Sequence, residues 1–228
     1  MNVKIVNNAE EATGLAIIID VFRAFTVEPY LINNGVERII PVGDKEIAYK
    51  LKEENSEYIL VGERKGVKLP GFDFGNSPSQ IKDVDFIGKT VVHTTSCGTQ
   101  GIVRAINADE IVTGSLVNVS PIIKYIKNNH ISDVSIVSMS RPGEKPTAED
   151  DLCARVLKCL LEGNEFKNID EEIESLKLTN GKKFFDEELK EVFPREDFFL
   201  CTDVDRFNFV LKVHKDDKGL FYVEKINV

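Results

Sequence analysis

Short apolar runs recur along the chain at intervals long enough to hold a helix, and that alternation limits the fold more than any other feature. LAIIID (15–20), RIIPV (38–42), YILVG (58–62), KTVVHTT (89–95), EIVTG (110–114) and DVSIVSM (133–139) read as six strands. Helical patterns separate most of them: a segment to about Asn33, DKEIAYKLKEE (44–54), a glycine-led segment to about Asn107, and VNVSPIIKYIKNN. Another runs from Thr147 to about Leu161, with Gly163 as its C′ glycine. Strands alternating with helices make βαβ units, hence a mainly parallel sheet covered on both faces. From about 164 to 195 the chain is charged and helical without a strand, and RFNFVLKVH, KDDKG and LFYVEKI then read as a hairpin adding antiparallel strands. The expected fold is α/β, a three-layer α/β/α arrangement with a mixed, mainly parallel sheet and a C-terminal β-hairpin. No repeat or linker interrupts it, so residues 1–228 are read as a single domain.

The composition supports a folded chain and narrows its partners. Of 228 residues, 42% are hydrophobic and 29% charged, which favours folding over disorder. The net charge of −9 argues against non-specific nucleic-acid or anionic-membrane binding. The start, MNVKIVNNAEEATG, has no apolar signal region, and no apolar run approaches the roughly 18 residues of a spanning helix. Cys97, Cys153, Cys159 and Cys201 form no CxxC pair, so reduced thiols and a cytoplasmic location are expected. Cys153 and Cys159 share one helical pattern and read as packed residues.

In open α/β sheets ligands bind beyond the carboxyl ends of the strands. Those ends carry Asp20, Gly62-Glu63, Thr94-Thr95, Gly114-Ser115 and Ser138 to Ser140. Asp20 closes an apolar run, as a helix cap, a partner for Arg23, or a carboxylate for a hard cation such as Mg²⁺. GERKGVKLPGFDFGNSP (62–78) is a long irregular segment, and such loops are usually either functional or disordered. HTTSCGTQG (93–101) is a strand-to-helix turn whose amides could converge on an anion. Thr147 with Asp150 resembles a capping box, but Glu149-Asp150-Asp151 exceeds what capping needs and could reach a metal. Six residues intervene between Cys97 and Arg104, one more than a cysteine-phosphatase loop uses, and Arg104 would lie inside a helix. The three histidines are not spaced as ligands. No phosphate-binding GxxxxGK[ST] or GxGxxG motif is present, and the paired aspartates of DVDRF (203–207) sit beside the last hairpin.

Together IIIDVFRAFT (17–26), GERKGVKLPGFDFGNSP, HTTSCGTQG, GSLVN (114–118) and AEDDLCA (148–154) resemble the 2-phosphosulfolactate phosphatase family over about two thirds of the chain. The GE…GFDFGNSP block is the most specific piece. The resemblance implies a Mg²⁺-dependent phosphatase with its own α/β fold, hydrolysing (2R)-phospho-3-sulfolactate to 3-sulfolactate and phosphate in coenzyme M biosynthesis. Family members more often carry Leu-Arg-Ala-Thr-Thr where this chain has Phe22 to Thr26, and Asn where it has Cys97, which argues against Cys97 as an obligatory nucleophile. On this basis Asp20, Glu63, Asp73, Glu149 and Asp150 are expected to be catalytic, with Asp20, Glu63, Asp73 and Asp150 holding Mg²⁺. Arg23, Arg64, Lys65, Asn76, Thr94, Thr95, Ser96, Gly98 and Thr99 are expected to bind substrate, with Lys68 adding positive charge. The nucleophile is a water or a carboxylate. A symmetric homodimer is the default expectation. Competing readings are a phosphatase for another small phosphorylated hydroxy acid, and a non-catalytic anion-binding module on the same fold.

Overall fold

The computed structural model describes residues 1–139 and 146–228; Ser140, expected at the end of the sixth strand, lies outside them. Among the described residues ten strands form one mixed sheet. They are β1 (Asn2–Val6), β2 (Leu15–Ile19), β3 (Arg38–Pro41), β4 (Ile59–Arg64), β5 (Val67–Lys68), β6 (Thr90–Thr94), β7 (Glu110–Gly114), β8 (Asp133–Ser138), β9 (Phe209–Lys215) and β10 (Phe221–Asn227). The helices are α1 (Ala24–Asn33), α2 (Lys45–Glu54), α3 (Pro78–Ile81), α4 (Gly98–Arg104), α5 (Val119–Asn128), α6 (Ala148–Leu161), α7 (Ile169–Leu176) and α8 (Arg195–Cys201). The six expected strands are β2, β3, β4, β6, β7 and β8.

Strand β2 shows why the sheet is covered on both faces. Successive side chains of a strand point to opposite sides. Leu15, Ile17 and Ile19 pack with Ile122 and Ile126 of α5 and Leu152 and Val156 of α6. Ala16 and Ile18 join a second cluster with Ala24 and Phe25 of α1 and Ile102 of α4. A continuous apolar run is what a strand between two helical layers requires.

The strand order is β1-β8-β2-β7-β9-β10-β3-β6-β4-β5. Strands β1, β8, β2 and β7 are mutually parallel, as are β3, β6 and β4. The β9–β10 hairpin lies between these blocks, antiparallel to both neighbours, rather than at an edge. Its Phe209, Val210 and Leu211 are buried, so both faces of the inserted strand are covered. A single residue pair, Val223 with Ile39, joins β10 to β3. Strand β1 was not anticipated: its mixed NVKIV pattern suits an edge, where it pairs with β8 and stays half-exposed. No helix among the described residues is long and apolar enough to cross a membrane.

Candidate active site

The chain from 62 to 78 is ordered by its own backbone. Strand β4 turns at Lys65 and Gly66, whose φ values of 55° and 82° are those of a two-residue hairpin, and returns as β5. It then folds back so that Asp73 and Phe74 donate their amides to Leu60 O at 3.0 and 3.1 Å, and Gly62 donates to Phe74 O at 3.1 Å. This leaves Glu63 and Asn76 buried against a cleft of about 390 Å³ and Lys65 at its mouth. Gly66 faces Phe193 closely enough that an added Cβ would stand 2.3 Å from its Cζ. Gly66→Ala combines that clash with a strained left-handed φ, and is expected to cost about 1–3 kcal/mol, visible as a lower thermal midpoint.

The turn expected to bind an external anion instead binds the protein's own carboxylates. Ser96 donates its amide to Glu63 Oε1 at 2.6 Å and its hydroxyl to Oε2 at 3.1 Å, while Gly66 N–H donates to Oε2 at 2.5 Å. Gly98 N–H donates to Asp20 Oδ2 at 3.0 Å, and Ala24 N–H to Asp20 Oδ1 at 3.1 Å. One buried aspartate thus caps the first residues of α1 and α4 together. Thr94, Thr95 and Thr99 are buried: Thr95 and Thr99 exchange hydrogen bonds with each other, and Thr94 Oγ1 accepts from Arg64 at 3.0 Å. The Gly98 amide and these threonines therefore hold the turn rather than face the cleft.

Helix α6 distributes its three acids by its 100° step. Asp151 points outward to Arg155 Nε at 2.9 Å. Asp150 turns inward, its Oδ1 accepting Val21 N–H at 2.8 Å, and Glu149 is buried beside it. Thr147 is the N-cap but its hydroxyl makes no cap hydrogen bond, so the expected capping box does not form. Glu149 Oε2 is buried with no hydrogen-bond partner among the described residues.

Asp20, Glu63, Glu149 and Asp150 all line the cleft. Burial, reinforced by the facing Glu63 and Glu149, pushes the Asp20 carboxyl up to about 6, against the pull of the Ala24 and Gly98 amides. Burial, then the neighbouring Glu149 and Asp20, holds Asp150 well above the ordinary carboxylate range. Burial also raises Glu149, with Lys183 pulling it back. Perturbed acids gathered in a cleft make it the candidate functional site.

Positive charge enters differently from the expectation. Arg23 lines the cleft, yet its guanidinium is committed to Asp197 Oδ2 at 2.7 Å, Val192 O at 3.0 Å and Gly66 O at 3.1 Å. Asp20 makes no ion pair with it. Arg64 turns away to Glu63 O, Gly43 O and Thr94, and does not line the cleft. Asp73 does not line the cleft: it is 40% exposed, accepting Leu60 N–H and pairing with Lys52 at 3.6 Å. Lys68 is exposed on β5. Lys183, from the charged stretch that carried no site expectation, lines the cleft instead, beside Phe22 and Phe193. The alternation of exposed Lys182, half-buried Lys183 and buried Phe184 is the one local hint of its direction. Cys97 lines the cleft, whereas Arg104 is exposed at the end of α4, so the pair forms no phosphate-wrapping loop. In DVDRF, Asp205 caps α5 through Ser120 N–H at 2.6 Å.

A sequence model described as 2-phosphosulpholactate phosphatase matches residues 3–216. A Thermoplasma volcanium protein named "Probable 2-phosphosulfolactate phosphatase" is 35% identical over 201 residues, 88% of this chain and 90% of its own length. A Bacillus subtilis protein of the same name is 32% identical over 88% of this chain and 87% of its own. One from Caldicellulosiruptor saccharolyticus is 41% identical over 61% of this chain and 59% of its own. The name describes a phosphoric monoester hydrolase. With a cleft of buried acids at its strand ends and a match spanning nearly its whole length, the chain belongs to the 2-phosphosulfolactate phosphatase family.

Proposed function

We propose that this protein is a Mg²⁺-dependent phosphatase that hydrolyses (2R)-phospho-3-sulfolactate to 3-sulfolactate and phosphate, a step toward coenzyme M. The observation that carries the reading is the convergence of Asp20, Glu149 and Asp150, buried in one cleft with none of them in an ion pair among the described residues. Such a substrate carries about four negative charges near neutral pH. It would not enter beside four acids unless a cation offsets them. No three acids, cysteines or histidines among the described residues form a ready metal cage. That suits Mg²⁺, which is usually bound through one or two carboxylates with waters and phosphate oxygens completing the shell. Asp20 and Asp150 would hold it, and it would supply positive charge to the phosphoryl oxygens. Glu63 has both oxygens engaged by Gly66 and Ser96, so its role is to position that wall. Asp73 and Arg64 have no part in the proposal.

The chain's own groups do the rest. Lys65, Lys183 and the Asn76 amide bind the anionic oxygens, with the Ser96 hydroxyl beside them. Glu149, through its unpartnered Oε2, accepts the proton of the attacking water as the water oxygen bonds to phosphorus, the phosphorus–oxygen ester bond breaks, and the C2 oxygen leaves and takes a proton from solvent to become the sulfolactate alcohol. The test is phosphate release from 2-phosphosulfolactate with Mg²⁺ and with EDTA, beside phospholactate and phosphoglycerate. Mg²⁺-dependent release confined to the sulfonate is expected. Equal turnover of the other esters would discard the substrate assignment and the pathway with it, and no release from any would discard the phosphatase.

A further inference from the structure

A chain of buried polar groups leads from the protein interior to the cleft, and the mechanism above uses only its last member, Asn76. Glu28 sits in α1 with no exposure, facing β6 and β7. Its Oε1 lies 3.0 Å from His93 Nδ1, and its Oε2 accepts the Thr113 hydroxyl at 3.2 Å. His93 is likewise fully buried, and its Nε2 is 3.1 Å from Asn76 Oδ1. With the Asn76 oxygen facing it, Nε2 is the donor of this contact and carries the hydrogen. That contact turns the oxygen end of the carboxamide inward. It leaves Nδ2, with no hydrogen-bond partner among the described residues, on a residue that lines the cleft.

We propose that Glu28 and His93 are positioning residues that hold the Asn76 amide with its two N–H donors toward the anionic oxygens of the substrate. Resting on the phosphatase reading, this assigns the pair a role in anion recognition and none in bond breaking. Burying an ionisable pair is costly, and well-packed apolar residues of similar volume often serve stability as well or better. A carboxamide free to rotate by 180° would offer an acceptor oxygen to the anion for part of the time. The pair removes that state, and the Thr113 hydroxyl fixes the far end of the chain.

The test reads orthophosphate affinity of the full chain by calorimetry, with kcat and KM for 2-phosphosulfolactate alongside. Asn76→Ala should raise the orthophosphate Kd about 10-fold or more, the loss of a hydrogen bond to a charged group. The paired variant Glu28→Met/His93→Leu should keep its thermal midpoint and raise Kd and KM about as much, with a smaller effect on kcat. Adding Asn76→Ala to that pair should cost less than about 2-fold more, because both changes remove one interaction. Glu28→Gln, which can still donate to Nδ1 and leave the Nε2 hydrogen on Asn76, should retain wild-type affinity. A wild-type Kd in the paired variant, or a fully additive loss with Asn76→Ala, would overturn the proposal. Should the paired variant not fold, the ¹⁵N-labelled wild-type protein decides: the Asn76 side-chain amide signals must shift on adding orthophosphate, and unmoved signals overturn the assignment. Wild-type protein that binds orthophosphate yet hydrolyses no phosphoester would sink the functional reading alone. Wild-type protein that does not bind orthophosphate would sink this one.

Discussion

Asp150→Asn is expected to lower kcat/KM for 2-phosphosulfolactate by about 1000-fold, the scale for removing one preorganised electrostatic group. The substitution keeps the Oδ1 that accepts Val21 N–H, so the start of α6 stays anchored while a charge leaves the cleft. Stability should move the other way. The cleft acids bind protons more tightly in the folded chain than in the unfolded one, Asp20 being pushed up to about 6. Between the ordinary carboxylate range and that value the unfolded chain therefore holds fewer protons, and stability falls as pH rises. Above it the repulsion is fully present. Cation-free Asp150→Asn should accordingly melt higher than wild type at pH 8, with the difference shrinking toward pH 4. Adding Mg²⁺ should raise the wild-type midpoint and move the variant much less, since a ligand stabilises only the form that binds it. A variant with wild-type turnover, or one that gains as much from Mg²⁺ as wild type, would remove Asp150 from the cation site.

Asp197→Asn should produce the largest loss of stability. Asp197 has no exposure and Arg23 almost none, so their contact at 2.7 Å is a buried ion pair. The other oxygen of Asp197 accepts the Ser77 hydroxyl and the Ser79 amide, both at 2.9 Å. Asparagine can keep those two bonds only by turning its NH₂ toward the guanidinium, donor against donor. Breaking one side of a buried pair costs about 3–5 kcal/mol. At about 2–4 °C per kcal/mol for a chain of this size, the midpoint should fall by roughly 10 °C. Arg23→Lys should not be a mild change either, because an ammonium cannot span Asp197, Val192 O and Gly66 O as the planar fork does. Urea unfolding of both variants gives the comparison, and a change below about 1 kcal/mol in Asp197→Asn would show that the pair is not structural.

The sequence by itself determined the layers and the neighbourhood of the site. Runs such as LAIII are apolar at every position, and only a strand sandwiched between helices buries both sets of alternate side chains. Asp20 ends such a run and the acids of 149–151 begin a helix, so their approach to the strand ends follows from local pattern. The Gly-acid pair followed by Phe-Asp-Phe-Gly-Asn-Ser-Pro pointed to the family because that order is improbable by chance. What lay beyond that reading depended on contacts between residues far apart in the chain. The β9–β10 hairpin reads as a hairpin wherever it docks, and only its pairing with β7 and β3 places it inside the sheet. Asp197 meets Arg23 across 174 positions, and Lys183 reaches the cleft from a stretch whose charges look like any solvated surface. Asp73 and Arg64 have the chemistry of site residues, but the alternation along β4 turns Arg64 away and the return of the loop sets Asp73 against Leu60 N–H, outside the cleft. Local periodicity encodes which face of an element is apolar. Which polar residue meets which is decided by the docking of those faces, where desolvation favours pairs such as Asp197 with Arg23.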